Sequence, residues 1–218
     1  LGTRTKFYLP DGSIGWLNGN SYLEFPTEFS RKKRELSLKG EAYFEVKTDP
    51  DRPFIVSGKS VEVVAHGTAF NVLAYPGEEQ IKVTLAEGKI EVLEKRRGQS
   101  KSLVKLKPDQ MCTYNVNSYS HYIENVDSEI ITAWKDGKLI FRNETFDEVI
   151  KRINRWYNAK LVIKDDILKS YTYLATIEDE SLDEILKLLK LSAPIDYKDL
   201  GREIRKDGTF EKREIEIY

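Results

Sequence analysis

Residues 81–93 have the sequence IKVTLAEGKIEVL, and this stretch decides the fold class of the first half of the chain. Apolar side chains alternate with Lys, Glu or Thr on both sides of Glu87 and Gly88, as in two half-buried strands joined by a turn. The same alternation recurs in residues 61–65. We therefore predict that residues 1–126 form an antiparallel all-β domain. A sandwich, a jelly roll and a solenoid-like stack are all compatible with this pattern.

Helical periodicity appears only in the last third of the chain. Apolar residues fall on one helical face in residues 143–159, which open with a capping-box pattern of Thr145 and Glu148. A second helix is predicted from Ser181 to about residue 191, where Glu184 completes the same capping pattern.

Short strand-like segments surround these two helices, at residues 139–141, 161–163, 171–175, 195–197 and 214–218. The order predicts a small βαββαβ sandwich over residues 134–218, with both helices laid on one sheet. Residues 127–133 are then predicted to be a linker. The fold class expected for the whole chain is mainly β plus α/β.

The charge pattern argues against nucleic-acid binding. The chain has 35 basic and 36 acidic residues, with a net charge of -1, and they are interspersed along its length. A nucleic-acid surface normally gathers its cationic residues on one face. The densest basic run, Arg31-Lys32-Lys33-Arg34, is interpreted as a solvated loop, with contact to an anionic surface as the alternative.

Groups that could bind a metal or a cofactor are scarce. The single cysteine, Cys112, allows no intrachain disulfide and is expected to be a buried structural thiol. The two histidines, His66 and His121, lie outside any metal-ligand spacing and are interpreted as structural or exposed. We therefore predict no metal site, no cofactor and no enzymatic activity.

Two other functional classes remain open at this stage. Glu41 and Glu45 are predicted to share a strand face; a charged edge accounts for them, and a hydrolase with dispersed carboxylates is the alternative. A carbohydrate-binding or adhesive β module would need an exposed aromatic platform, for which Trp16, Tyr22 and Tyr43 are the candidates.

The other two tryptophans receive structural interpretations. Trp156 lies on the apolar stripe of the first predicted helix and is expected in its core. Trp134 lies in the predicted linker region and is interpreted as a residue that could hold the two domains together. The segment at Gly12 and Ser13 is predicted to be a hairpin turn, because no strand-to-helix context follows it.

Several of these segments occur in an order that resembles the FecR family of anti-sigma regulators. The opening LPDGS at residues 9–13, followed by Leu17 and Asn18, is similar to one family pattern. The stretch LKGEAYFEV at residues 38–46 and the stretch HGTAFNV at residues 66–72 resemble two others. The C-terminal part resembles the secretin/TonB short N-terminal domain of Bacteroidetes members.

This resemblance implies a regulator with a periplasmic region anchored in the inner membrane. A TonB-dependent outer-membrane transducer would signal to it, and it would control an extracytoplasmic-function sigma factor. No apolar run in the chain approaches the roughly 20 residues that cross a bilayer, so we expect the chain to begin within a longer protein. Residues 132–218 are the predicted receptor-facing part.

Strand addition is the predicted mode of receptor binding. The last residues of the chain alternate in character and are predicted to form an exposed edge strand that a partner could extend. The predicted binding residues are Glu214, Ile215, Glu216 and Ile217.

Overall fold

The computed structural model describes residues 4–205 and 208–218, which form two compact units. The N-terminal unit comprises residues 4–135, and the C-terminal unit begins at Asp136. The prediction of a β-rich chain is confirmed. Among the described residues, no helix is both long and apolar enough to span a membrane.

The described part of the N-terminal unit contains twelve strands in one curled sheet. They are β1 (Thr5–Tyr8), β2 (Ile14–Leu17), β3 (Tyr22–Glu24), β4 (Arg34–Glu45), β5 (Phe54–Ser57), β6 (Val61–Ala65), β7 (Ala69–Ala74), β8 (Gln80–Glu87), β9 (Ile90–Arg96), β10 (Gln99–Leu106), β11 (Gln110–Asn115) and β12 (His121–Asn125). The order along the sheet is β10-β9-β6-β5-β4-β7-β8-β11-β12. In addition, β2 and β3 pair with β4, and β1 pairs with β2. The turn at Gly12 and Ser13 joins β1 to β2, as predicted.

The long strand β4 gives the sheet its curl. Its first half pairs with β3 and β5, and its second half pairs with β2 and β7. The change of partners falls at Gly40, whose φ of 111° lies in the left-handed region that favours glycine. A Cβ at this position would lie 2.6 Å from the Cα of Ser21, so glycine also permits a close backbone approach.

One strand pair of this unit departs from the predicted antiparallel arrangement. The strands β4 and β5 are parallel, with Arg34 opposite Phe54 and Leu36 opposite Val56. A parallel pair needs a crossover connection, which here is the chain between the two strands, including the second half of β4. Local alternation in the sequence does not specify this pairing.

The core of the N-terminal unit lies inside the curl and contains residues from every strand between β4 and β9. Its fully buried side chains include Phe44, Phe54, Phe70, Leu85 and Leu106. The rings of Phe54 and Phe70 both lie within 6 Å of the ring of Phe44, at 5.7 and 5.6 Å between centroids. These aromatic contacts join the two halves of the sheet.

The segment predicted as a linker is instead folded into the N-terminal unit. Helix α1 (Ser128–Thr132) begins at its N-cap Asp127 and contacts β8, and a 3-10 turn, Ala133–Asp136, follows it. Ser128 Oγ donates a 2.6 Å hydrogen bond to Asp109 Oδ1, and Trp134 is 2% exposed. The prediction of a linker at 127–133 is therefore wrong, because buried side chains fix this segment.

The C-terminal unit contains both predicted helices and five strands among its described residues. They are β13 (Leu139–Thr145), α2 (Phe146–Tyr157), β14 (Ala159–Ile163), β15 (Thr172–Ile177), α3 (Leu182–Ser192), β16 (Tyr197–Gly201) and β17 (Arg213–Ile217). Thr145 caps α2, and Ser181 with Glu184 forms a complete capping box at α3. The buried face of α2 includes Trp156, as expected.

The strands of the C-terminal unit form two sheets, not the single sheet predicted. One sheet pairs β13 with β15, and the other has the order β14-β17-β16. The last strand of the chain runs parallel to β14 and antiparallel to β16. This parallel pairing joins strands some fifty residues apart, so the local sequence pattern could not reveal it.

Candidate protein-interaction surfaces

The strand predicted as the partner-binding edge lies in the middle of its sheet. Strand β17 contains Glu214, Ile215, Glu216 and Ile217, and it pairs with a neighbour on each side. Ile215 is 0% exposed and Ile217 is 1% exposed. The predicted edge position is wrong, because β14 and β16 already occupy the backbone groups that a partner strand would need.

The two outer strands of this sheet are β14 and β16, and the free side of β16 lies next to the hairpin that leads to β17. Asp196 and Tyr218 exchange two backbone hydrogen bonds, of 3.0 and 2.9 Å, so alternate residues of β16 direct their backbone toward β17. Tyr197 and Asp199 therefore direct theirs away from it. Leu200, near the end of this strand, is 47% exposed.

Between β16 and β17, the described residues on either side of positions 206–207 pair as the two arms of a short hairpin with an apolar face. Ile204 and Phe210 form an antiparallel bridge, which places both side chains on the same face. They are 67% and 63% exposed. On the opposite face, Arg205 makes two hydrogen bonds to the carboxylate of Glu211, of 2.7 and 3.0 Å. We call Leu200, Ile204 and Phe210 the apolar finger.

An ionic cluster fixes the base of this hairpin. Nη2 of Arg213 lies 2.6 Å from the carboxylate of Asp199 on β16 and 2.7 Å from that of Asp183 on α3. These bonds lower the pKa of both carboxyls and raise the pKa of Arg213. The cluster thus links β16, β17 and the start of α3 on the surface of the unit.

The N-terminal unit contains a buried polar network instead of an open site. The side-chain amides of Asn18 and Asn71 donate to the two carboxylate oxygens of Glu41, at 2.8 and 3.0 Å. The indole Nε1 of Trp134 donates to Asn71 Oδ1 at 3.1 Å. Trp134, interpreted from sequence as a link between domains, is therefore bound within the N-terminal unit.

The same network determines whether Glu41 and Glu45 could act together as a carboxylate pair. Glu41 is 6% exposed and is held by two amides, whereas Glu45 is exposed at the end of β4. The predicted charged edge is wrong, because β4 is an interior strand. The two residues present no accessible carboxylate pair.

The basic run at residues 31–34 ends in a fully buried arginine. Arg34 is 0% exposed, and its Nη1 lies 2.7 Å from Asp11 Oδ2 and 2.8 Å from the carbonyl oxygen of Lys47. Burial alone would raise the pKa of Asp11, but hydrogen bonds from Arg34 and Ser13 lower it. The interpretation of the run as a solvated loop is wrong for this residue.

The sequence does contain a signal for this burial. Arg34 alternates with Leu36 and Leu38, both 2% exposed, and so lies on the buried face of β4. The complementary charge, Asp11, belongs to the opening motif of the chain. The two-residue alternation of a strand, applied to residues 34–38, predicts that the side chain of Arg34 lies on the same buried face as Leu36 and Leu38.

The candidate aromatic platform does not form a continuous exposed surface. Tyr43 is 5% exposed and packs against Trp16, with ring centroids 5.7 Å apart and an interplanar angle of 62°. The ammonium group of Lys6 lies over the ring of Trp16, and that of Lys135 lies over the ring of Tyr43. Tyr22, which is 58% exposed, is the one prominent ring of the three.

The remaining candidate residues are the single cysteine and the two histidines. Cys112 is 0% exposed, which confirms the predicted buried thiol, and burial raises its pKa to about 11. His66 lies in an exposed turn, and His121 is exposed on β12. Within residues 4–205 and 208–218, no cluster of His, Cys, Asp or Glu has the geometry to hold a metal ion.

Comparison with known proteins assigns both units to one family. A family model described as FecR protein matches residues 1–91, and one described as FecR, C-terminal, matches residues 138–205. No curated protein matches the chain.

Two crystal structures also resemble the chain, each of a protein from Parabacteroides distasonis assigned provisionally as an anti-sigma factor. The structure at 1.65 Å has 29% sequence identity and a TM-score of 0.80, and the match covers 100% of this chain and 95% of that chain. The structure at 2.50 Å has 28% identity and a TM-score of 0.79, with coverages of 100% and 94%.

Proposed function

Because the chain belongs to the FecR family of anti-sigma regulators, we propose that it is the periplasmic, signal-relaying region of such a regulator. Its role is to bind other proteins, not to catalyse a reaction. In the proposed arrangement the regulator is anchored in the inner membrane and controls an extracytoplasmic-function sigma factor. The likeness to provisionally assigned anti-sigma factors over the whole chain supports this role.

The signal in this proposal comes from an outer-membrane TonB-dependent transducer. When the transducer is loaded with its substrate, its periplasmic signalling domain contacts the C-terminal unit. The apolar finger carries this assignment, because Ile204 and Phe210 are exposed on one face of a short hairpin and Leu200 is exposed near the end of the strand that leads into it. Clustered exposed apolar residues are typical of protein-binding sites.

The open side of β16 lies directly before the hairpin in the chain and offers a second element of the surface. The backbone of Asp199 is directed outward there, so a partner strand could extend the sheet while the finger contacts its side chains. This moves the proposed strand addition from β17, where the sequence placed it, to β16. The ionic cluster of Arg213 links β16 to β17 and to the start of α3 beside this surface.

Calorimetry tests the proposal with the whole chain and the signalling domain of the TonB-dependent transducer encoded beside it. We expect specific binding that is absent with the signalling domain of a non-cognate transducer. Ile204→Asp should weaken binding at least about tenfold, as for a residue at the centre of an interface.

A matched control is available in the same unit. Ile167 is also 67% exposed but lies in a 3-10 turn away from the hairpin sequence, so Ile167→Asp makes the same chemical change at equal exposure. Its binding should equal that of the unchanged chain. Equal losses in both variants would remove the finger from the proposal, and no binding by the unchanged chain would contradict the relay role itself.

A further inference from the structure

Strand β12 ends the large sheet of the N-terminal unit with an open side. It pairs only with β11 among the described residues, and all five of its residues are exposed. Tyr122 is 53% exposed and Ile123 is 43% exposed. An uncovered edge strand presents backbone donors and acceptors that another strand can use.

The hydrogen bonds that flank β12 define which of its residues face outward. Asn115 N donates to Ser120 O at 2.8 Å, and Val126 N donates to Asp109 O at 2.9 Å. In an antiparallel ladder alternate residues bond to the same neighbour, so Tyr122 and Glu124 bond to β11. The backbone groups of His121, Ile123 and Asn125 therefore point away from the sheet.

The strand at the opposite end of this sheet carries features that hinder strand addition. At the opposite end, β10 contains Lys101 and Lys105 and has an irregular register between Ser102 and Val104. Lysines and bulges are the devices that keep edge strands from pairing with other chains. The strand β12 contains neither, and its register with β11 is continuous.

The side chains of β12 extend both faces of the sheet to this edge. Ile123 ends a row across the strands that runs through Ala42, Val72, Val83 and Cys112, all buried in the core. The apolar row is thus cut off at a half-exposed isoleucine. Tyr122 and Glu124 lie on the opposite face, because side chains alternate along a strand.

We propose that β12 pairs antiparallel with β12 of a second copy of this chain. In the register that places Ile123 opposite its own symmetry mate, His121 lies opposite Asn125. The three outward residues of each copy then exchange backbone hydrogen bonds across a two-fold axis. The apolar core row continues through the two isoleucines into the second sheet.

The other face of β12 is self-complementary in the same register. Tyr122 of each copy lies opposite Glu124 of the other, so that a phenol hydroxyl meets a carboxylate twice and no two carboxylates face each other. A shift by two residues in one direction would place Glu124 opposite itself, which is unfavourable. Both the charges and the backbone pattern therefore select a second copy as the occupant. This inference does not rest on the proposed function.

Sedimentation of the whole chain over a range of concentrations tests the dimer, and two substitutions at one exposed position test its register. Tyr122→Glu places two carboxylates opposite each other, whereas Tyr122→Lys places an ammonium group opposite Glu124. We expect the dimer dissociation constant of the Glu variant to exceed that of the Lys variant at least about tenfold, because the pair occurs twice.

A third variant tests the backbone contact. Ile123→Pro removes an outward N–H that β11 does not use, so the monomer should keep its fold, as circular dichroism would show, and lose dimerisation. Amide hydrogen exchange adds an independent readout. The amides of His121, Ile123 and Asn125 should become protected only as concentration rises, while those of Tyr122 and Glu124 stay protected throughout.

A chain that remains monomeric at all concentrations overturns the proposal. A dimer whose dissociation constant is the same in all three variants also overturns it, because association would then use another surface.

Discussion

Removal of Asp11 should destabilise the N-terminal unit far more than removal of any exposed charge. Asp11→Ala leaves the guanidinium group of Arg34 fully buried without its carboxylate, and breaking a buried ion pair in this way costs about 3–5 kcal/mol. Arg34 keeps the carbonyl oxygens of Lys47 and Arg52 as acceptors, so we expect a cost at the lower end of this range. Ser13 loses the acceptor of its N–H and of its hydroxyl, which adds about 1–2 kcal/mol.

The expected total is therefore about 4 kcal/mol, measured by urea unfolding of the whole chain with far-UV circular dichroism and tryptophan fluorescence. For a unit of this size the melting temperature should fall by about 10–20 °C. Lys33→Ala is the matched control, because Lys33 precedes Arg34 and pairs with Glu35 on the surface. Its cost should stay below about 1 kcal/mol.

A double variant separates the buried charge from the other contacts. Asp11→Ala with Arg34→Met removes both charges, so the double variant should be more stable than Asp11→Ala alone. It should not reach the stability of the unchanged chain, because Ser13 still lacks its acceptor. The reasoning is refuted if Asp11→Ala costs no more than Lys33→Ala, or if the two substitutions in the double variant are additive.

Three further outcomes follow from the described contacts. The pKa of Asp11 is lowered in the folded state, so its contribution to stability is present above its ordinary pKa of 3.8 and is lost as the pH falls through the folded-state pKa. Asp11→Asn should therefore flatten the acid limb of the curve of stability against pH, measured below about pH 4. Cys112, with its pKa raised to about 11, should react with a thiol reagent at pH 8 only after urea unfolding, and rapid labelling of the native chain would contradict its burial. Gly40 has a positive φ and no room for a Cβ beside Ser21, so Gly40→Ala should lower the free energy of unfolding in urea by about 2–4 kcal/mol. Gly77 also has a positive φ but open space around it, so Gly77→Ala should lower it by less.

Local structure in this chain was largely predictable from its sequence. Strand alternation and turn residues depend on neighbouring positions, and the strands on both sides of Gly88 form as predicted. The helices were predictable for the same reason, since Ser181 and Glu184 form their capping box within four residues. Features of this kind need no knowledge of distant contacts.

Pairing between distant segments was not predictable. The position of β17 between β14 and β16 depends on a parallel contact that no local pattern specifies, and the predicted edge was misplaced for this reason. Trp134 presented the same difficulty. Its burial depends on a hydrogen bond to Asn71, sixty-three residues earlier in the chain, so the segment around it looked like a linker.

The residues that carry the sequence motifs and the residues proposed to bind partners differ in burial. Asp11, Phe44 and Phe70 belong to the motifs, and the first has a side chain only 4% exposed while the other two are 0% exposed. Burial restricts the residue type at such positions, which makes the motifs recognisable and ties them to folding. The exposed side chains of Ile123, Ile204 and Phe210 carry no such restriction. Ile123 and Phe210 lie outside the segments matched by the family models, whereas Ile204 lies within residues 138–205. Membership of the family therefore supports the fold and the general role, whereas partner choice must be tested at the apolar finger and at β12.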